Sequence, residues 1–217
     1  MTRHAAVPYV LPFAAFLAFL GIQQVIPVPQ SLRFFLVAAI LLIFSRGVLG
    51  FRLMNPLGSI LLGVAVFAIW IAPDVVFPGW RAHWVFSNIA LGQPVSSMSA
   101  NQKLDGGFLL FRVLTSSLTV PILEELFWRG WLMRWLIDRD FERVPLGTYN
   151  TQAFWFVAIL FATEHGSYWE VGLIAGAIYN WWIVRTRNLW DCILAHAVTN
   201  LCLAAYVIAR GQWQYWL

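Results

Sequence analysis

Charge is what this sequence has least of. Asp, Glu, Lys and Arg make up only 11% of its 217 residues, against about 25% in soluble domains. A chain so poor in charge cannot clothe a soluble domain, and 60% of it is hydrophobic. Cysteine is scarce as well. Cys192 and Cys202 stand ten residues apart on one expected helix, about 15 Å along its axis, beyond disulfide reach. Both read as buried, inert thiols. No basic stripe with interleaved aromatics is present, so nothing points to nucleic acid, and the 13 tryptophans fit interfacial belts better than base-stacking surfaces. There is no His-Glu-x-x-His pair, hence no metalloprotease signature of that spacing. No small-x-small cleavage site follows the first apolar run, which is therefore read as a membrane helix rather than a signal peptide.

What is there is a series of long apolar runs. They define an all-α fold: a polytopic membrane helix bundle, with helices expected at about 8–26, 32–44, 57–72, 108–137, 151–165, 170–184 and 189–209. That makes seven spans, and an eighth in the 80–100 region would change the count. One membrane domain, 1–217, accommodates them, with 1–72 as scaffold helices, 73–107 as a polar loop and 108–209 as the core that holds the chemistry. An amphipathic helix around 80–91 would lie at the interface. His83 in that loop has no partner cluster and reads as a surface histidine. The 108–137 segment exceeds a perpendicular span, so it tilts or breaks at Pro121. Gly172 and Gly176 are spaced for close helix packing.

Basic residues give an orientation. Arg3, Arg46, Arg52, Arg134, Arg139, Arg143, Arg185 and Arg187 fall on one side, and Arg33, Arg81, Lys103 and Arg210 on the other. The imbalance puts the N-terminus in the cytoplasm of a multi-pass protein, with a bacterial inner membrane as the expected location.

Against this apolar background, a few polar residues stand out. Glu124, Glu125 and Arg129 sit in the fourth helix, Glu164 and His165 at the end of the fifth, and His196 and Asn200 in the seventh. Ionisable groups in hydrocarbon cost at least about 2.5–3.5 kcal/mol each and usually mark function. Glu125 and Arg129, four apart, share a helix face and can form a buried ion pair. Glu124 is rotated by about 100° from Glu125 and faces the bundle interior. There it suits general-base work on water, with a histidine beside it. His196 and Asn200, again four apart, can donate to an oxyanion. Together these features suggest hydrolysis. Zinc ligation by Glu124, His165 and His196 is an alternative; so are a proton-coupled transport relay and a non-catalytic immunity or sorting scaffold, in which the acids only hold helices together. Glu164 alone reads as a solvated residue at the outer interface.

Taken jointly, Glu124-Glu125-x-x-x-Arg129, Phe161-x-x-x-His165 and His196-x-x-x-Asn200 resemble the three motifs of the CAAX-protease and bacteriocin-processing family of intramembrane endopeptidases. The resemblance covers about 108–209. It implies that Glu124 activates the attacking water with help from His165, that Glu125 and Arg129 support that glutamate, that His196 and Asn200 stabilise the oxyanion, and that Phe161 packs beside the site. The substrate it implies is a membrane-associated protein or peptide, met within the lipid. The family has been described both as metal-dependent and as glutamate-type, so the cofactor is either none or one divalent metal such as zinc; the residue pattern leans toward the metal-free form. The run Trp131-Leu-Met-Arg-Trp, Phe161-Ala-Thr-Glu-His165 and the Trp-rich tail are similar to a bacterial subgroup associated with exosortase protein-sorting systems.

Overall fold

The computed structural model describes residues 4–216. Arg3, counted above in the charge balance, lies outside the described residues. The described chain is helical and contains no strand. In order, the helices are α1 (Val7–Gln23), α2 (Gln30–Ser45), α3 (Pro56–Val76), the short α4 (Ala100–Leu104), α5 (Gly106–Trp135), α6 (Thr151–Thr163), α7 (Trp169–Thr186) and α8 (Leu189–Arg210). Of these, α3, α5 and α8 are long and apolar enough to cross a membrane, and α1, α2 and α6 are shorter apolar helices. Seven long helices plus α4 are consistent with the helical membrane bundle expected from the sequence.

The helix boundaries have local causes. Asn55, Asn150 and Asn188 each cap a helix, accepting a hydrogen bond from Gly58, Ala153 and Asp191 N–H respectively. Such caps satisfy amides that the first turn leaves without partners. Gly211 ends α8 at φ 64°, a left-handed conformation glycine adopts without strain. Asp191 is fully buried in the first turn of α8 and accepts from the backbone N–H groups of Met54 and Asn55. It therefore fastens the start of α3 to the start of α8.

Helix α5 is the axis of the bundle and packs against α1, α2 and α8. It does not break at Pro121. Two stretches, Thr115–Thr119 and Leu126–Leu132, widen to π-type turns. The first lies directly ahead of Pro121, where the missing N–H and the ring would otherwise collide with a tighter turn. Glu124 and Glu125 occupy the regular turn between them. Alongside, α3 lies so close to α8 that a Cβ on Gly63 would collide with the Ala195 carbonyl.

The 77–105 region differs from the expectation. No helix forms over 80–91; only a single 3-10 turn at Trp80–Ala82 does, and the regular helix is α4 further on. The cause is Arg81, which turns inward rather than lying at a surface. Its guanidinium pairs with Asp74 at 3.1 Å and Glu170 at 2.6 Å, and it donates to the Ser167 carbonyl. This cluster ties the end of α3 to the start of α7. His83 is exposed, as expected.

Candidate functional site

Helix α6 has 13 residues, about 20 Å of length, well short of a bilayer core of about 30 Å. It starts on the same side as α8 and stops part-way across. His165 follows directly after it, at a turn that Gly166 makes with φ +49°. A shortened helix therefore brings His165 level with residues in the middle of α5 and α8.

The polar residues form two layers. The inner one centres on Glu125, which is fully buried. Its Oε1 accepts from Arg129 Nη1 at 3.0 Å and pairs with His196 Nδ1 at 2.9 Å, and its Oε2 accepts from Cys192 Sγ at 3.2 Å. Arg129 is also buried. Its Nε donates to Asn180 Oδ1 and its Nη2 to the Gly176 carbonyl, while its guanidinium lies 4.8 Å from the Phe161 ring centroid. Asn180 in turn donates to the Phe154 carbonyl. One ion pair thus joins α5, α6, α7 and α8, with every charged atom matched by a partner of the kind a buried pair requires.

The outer layer faces a cavity of about 180 Å³ whose lining includes Trp70, Glu124, Phe161, His165, Tyr179, His196 and Asn200. Glu124 Oε2 is buried without a hydrogen-bond partner and lies 4.0 Å from His196 Nε2. That separation is too long for a direct hydrogen bond, so a water molecule is the natural partner for both. His165 Nδ1 lies 2.7 Å from the Phe161 carbonyl. That contact requires the proton on Nδ1 and leaves Nε2 as an acceptor. The His165 ring is boxed between Trp70 and Phe161, with centroids at 5.1 and 4.7 Å. His196 stacks on Tyr179, 5.0 Å away at 22°. Asn200 Nδ2 donates to the Ser116 carbonyl at 2.8 Å, which leaves one of its two amide hydrogens for another acceptor.

The seven residues of the three motifs meet here: Glu124, Phe161, His165, His196 and Asn200 at the cavity, Glu125 and Arg129 beneath it. Glu164 points elsewhere, into a separate cavity, and is exposed. Gly172 and Gly176 do serve close packing: a Cβ on Gly172 would meet His165 Nδ1 at 3.1 Å, and one on Gly176 would meet Phe161 Cδ1 at 3.1 Å. Cys202 is only partly buried, a correction to the expectation for it, whereas Cys192 is buried and donates to Glu125.

Sequence reasoning missed Asn180, Tyr179, Thr199 and Trp70. Asn180 carried a signal, since an amide in an apolar span four residues after Gly176 shares its helix face. Cys192 carried one too, four residues before His196. Tyr179, which donates to Thr199 Oγ1 at 2.7 Å, and Trp70 had none, because aromatics abound in this chain.

As for a metal, no group of three or more His, Cys, Asp or Glu able to hold an ion occurs among the described residues. Glu124, His165 and His196 line the same cavity, and the contacts at both imidazole Nδ1 atoms leave each Nε2 for another partner.

A small cavity that sets an unpartnered buried carboxylate beside two imidazoles is an arrangement able to activate water. Comparison with protein families agrees: residues 106–202 match the family model described as type II CAAX prenyl endopeptidase Rce1-like. That span contains all three motifs, and over it, somewhat less than half of the chain, the sequence is similar to this family of CAAX-type endopeptidases. Neither the curated proteins nor the solved structures contain a match to the chain.

Proposed function

We propose that this chain is a glutamate-type intramembrane endopeptidase that hydrolyses a peptide bond in a membrane-associated protein. The single observation behind the reading is Glu124 Oε2: buried, without a partner, and 4.0 Å from His196 Nε2. An unpaired buried acceptor is costly, and hydrolytic function gives a reason to keep one.

In the proposed reaction Glu124 takes a proton from water as the water oxygen attacks the scissile carbonyl carbon. His165 Nε2 orients that water. The oxyanion that forms is met by the spare amide hydrogen of Asn200 and by His196 in its doubly protonated state, since Nδ1–H already serves Glu125. Glu124 then passes its proton to the leaving amine as the C–N bond breaks. Arg129 and Glu125 hold His196 in place, and Phe161 holds His165.

We read the chain as one membrane domain, with α1–α3 as scaffold apart from Trp70 of α3. The basic-residue balance supports a cytoplasmic N-terminus, which puts the α6–α7 turn and the tail on the opposite side of a bacterial inner membrane. The Trp-rich tail supports a place near an exosortase-type sorting system. Reconstituted protein carrying Glu124→Ala or His165→Ala should insert normally yet fail to cleave a membrane-proximal peptide. Full proteolysis by both variants would overturn the proposal, and transport without cleavage would point to a relay instead.

A further inference from the structure

A second, larger cavity of about 890 Å³ lies between the end of α1, the start of α2, α4 and the first turns of α5. Its polar lining includes Gln23, Gln30, Gln102, Ser97, Arg33 and Arg112. Four adjacencies place Trp216 between this cavity and the reaction chamber. Trp216 lines the chamber, while its ring centroid lies 5.1 Å from the Arg112 guanidinium, which lines the larger space. Its carbonyl accepts from Ser96 Oγ at 3.0 Å, next in the chain to Ser97. Met98 lines the larger cavity and packs in the same apolar cluster as Trp216. Finally, the consecutive residues Glu164 and His165 face one cavity each.

Size separates their roles. Ligand pockets commonly run from about 300 to 1,000 Å³, so the chamber holds water but not a length of peptide, and the larger cavity holds several residues. Its chemistry suits a peptide backbone, whose carbonyls accept from amide and guanidinium donors. Arg33 is 5% exposed and has a buried Nε without a partner, although its other nitrogens bond the side-chain oxygens of Gln23 and Gln30.

We propose that the larger cavity is the binding vestibule for an extended peptide, and that Trp216 is the partition across which the scissile bond reaches Glu124. This rests on the endopeptidase reading above. Trp216 lies outside the family-matched span, so the partition belongs to this chain's own tail. The tail is pinned beside it by Tyr215 Oη donating to Asp74 Oδ2 at 2.9 Å and Tyr168 Oη donating to the Gln214 carbonyl at 3.1 Å.

The test uses the full chain in proteoliposomes, with paired peptides differing only in whether the residue after the scissile bond is Ala or Trp. Trp216→Ala should raise kcat/KM for the bulky peptide at least tenfold relative to the small one, and Trp216→Phe should move it the same way by less while keeping the ring packing. Ser97→Trp should raise KM tenfold or more with kcat little changed. Identical profiles in all three variants and the wild type would overturn the partition. A photo-crosslinker at position 97 in the Glu124→Gln background should capture the peptide, and no capture would overturn the vestibule. Wild-type protein that captures peptide there but cleaves none would instead count against the endopeptidase reading.

Discussion

Glu124 and Glu125 are neighbours in the chain with opposite surroundings. Glu125 has both oxygens engaged by Arg129, His196 and Cys192, whereas Glu124 Oε2 is buried with no partner and 4.0 Å from an imidazole nitrogen. One residue of helical rotation separates a structural carboxylate from one left open to water.

The two should therefore fail differently. Glu124→Gln should lower cleavage by about 10²–10⁴-fold, the usual worth of a general base, with thermal stability near wild type. Glu125→Gln should cost about 3–5 kcal/mol of stability, because it leaves Arg129 buried without its counter-charge. Thermal unfolding of both proteins in detergent, beside their cleavage rates, checks the contrast. Equal destabilisation would contradict it.

Packing behind the site makes a second contrast. Gly172→Ala puts a methyl 3.1 Å from His165 Nδ1, where the ring must shift and loosen its bond to the Phe161 carbonyl. Activity should fall at least tenfold with only a small loss of stability. Gly21→Ala, with nothing within 4 Å of the new Cβ, should leave activity unchanged. Cleavage rates of the two variants decide this.

Tail attachment carries a pH signature. Burial first, then the Asp74 carboxylate, pushes the Tyr215 phenol above its ordinary value of 10.0; burial and Asp74 do the same to Tyr168, while Arg81 opposes it. A raised value means that the stability Tyr215 contributes is complete below the unfolded value of about 10 and lost only as pH climbs through the folded one. The melting-temperature gap between wild type and Tyr215→Phe should thus stay constant from about pH 6 to about pH 9. A gap that closes within that range would contradict the assignment.

Chelation addresses the remaining chemical alternative. Purified protein should keep its cleavage rate after treatment with a strong chelator, and elemental analysis should find less than one equivalent of zinc. Loss of activity restored by added zinc would overturn the glutamate-type mechanism.

Much of this was legible in the residues. Long apolar runs identified the bundle, isolated charges within them marked the candidate site, and the spacing of four between Glu125 and Arg129 predicted their ion pair. Spacing also placed Glu124 toward the interior. What escaped were contributions from residue types too common here to stand out. Trp70 was hidden among 13 tryptophans, and Arg81 looked like a surface residue because one of its partners, Glu170, comes from a helix distant in sequence. Whether the long fourth helix tilts or breaks at Pro121 stayed open because local rules do not anticipate the wide turn that absorbs the proline. The chamber wall formed by Tyr215 and Trp216 depends on long-range folding back of the tail, which no local pattern encodes.

The most direct measurement is peptide cleavage by reconstituted protein in heavy-oxygen water, followed by mass spectrometry of the newly formed C-terminal carboxylate. Wild-type protein should incorporate one labelled oxygen per cleavage event, and Glu124→Gln should yield almost no labelled product while remaining folded. Labelled product released by Glu124→Gln at the wild-type rate would contradict water activation by this carboxylate.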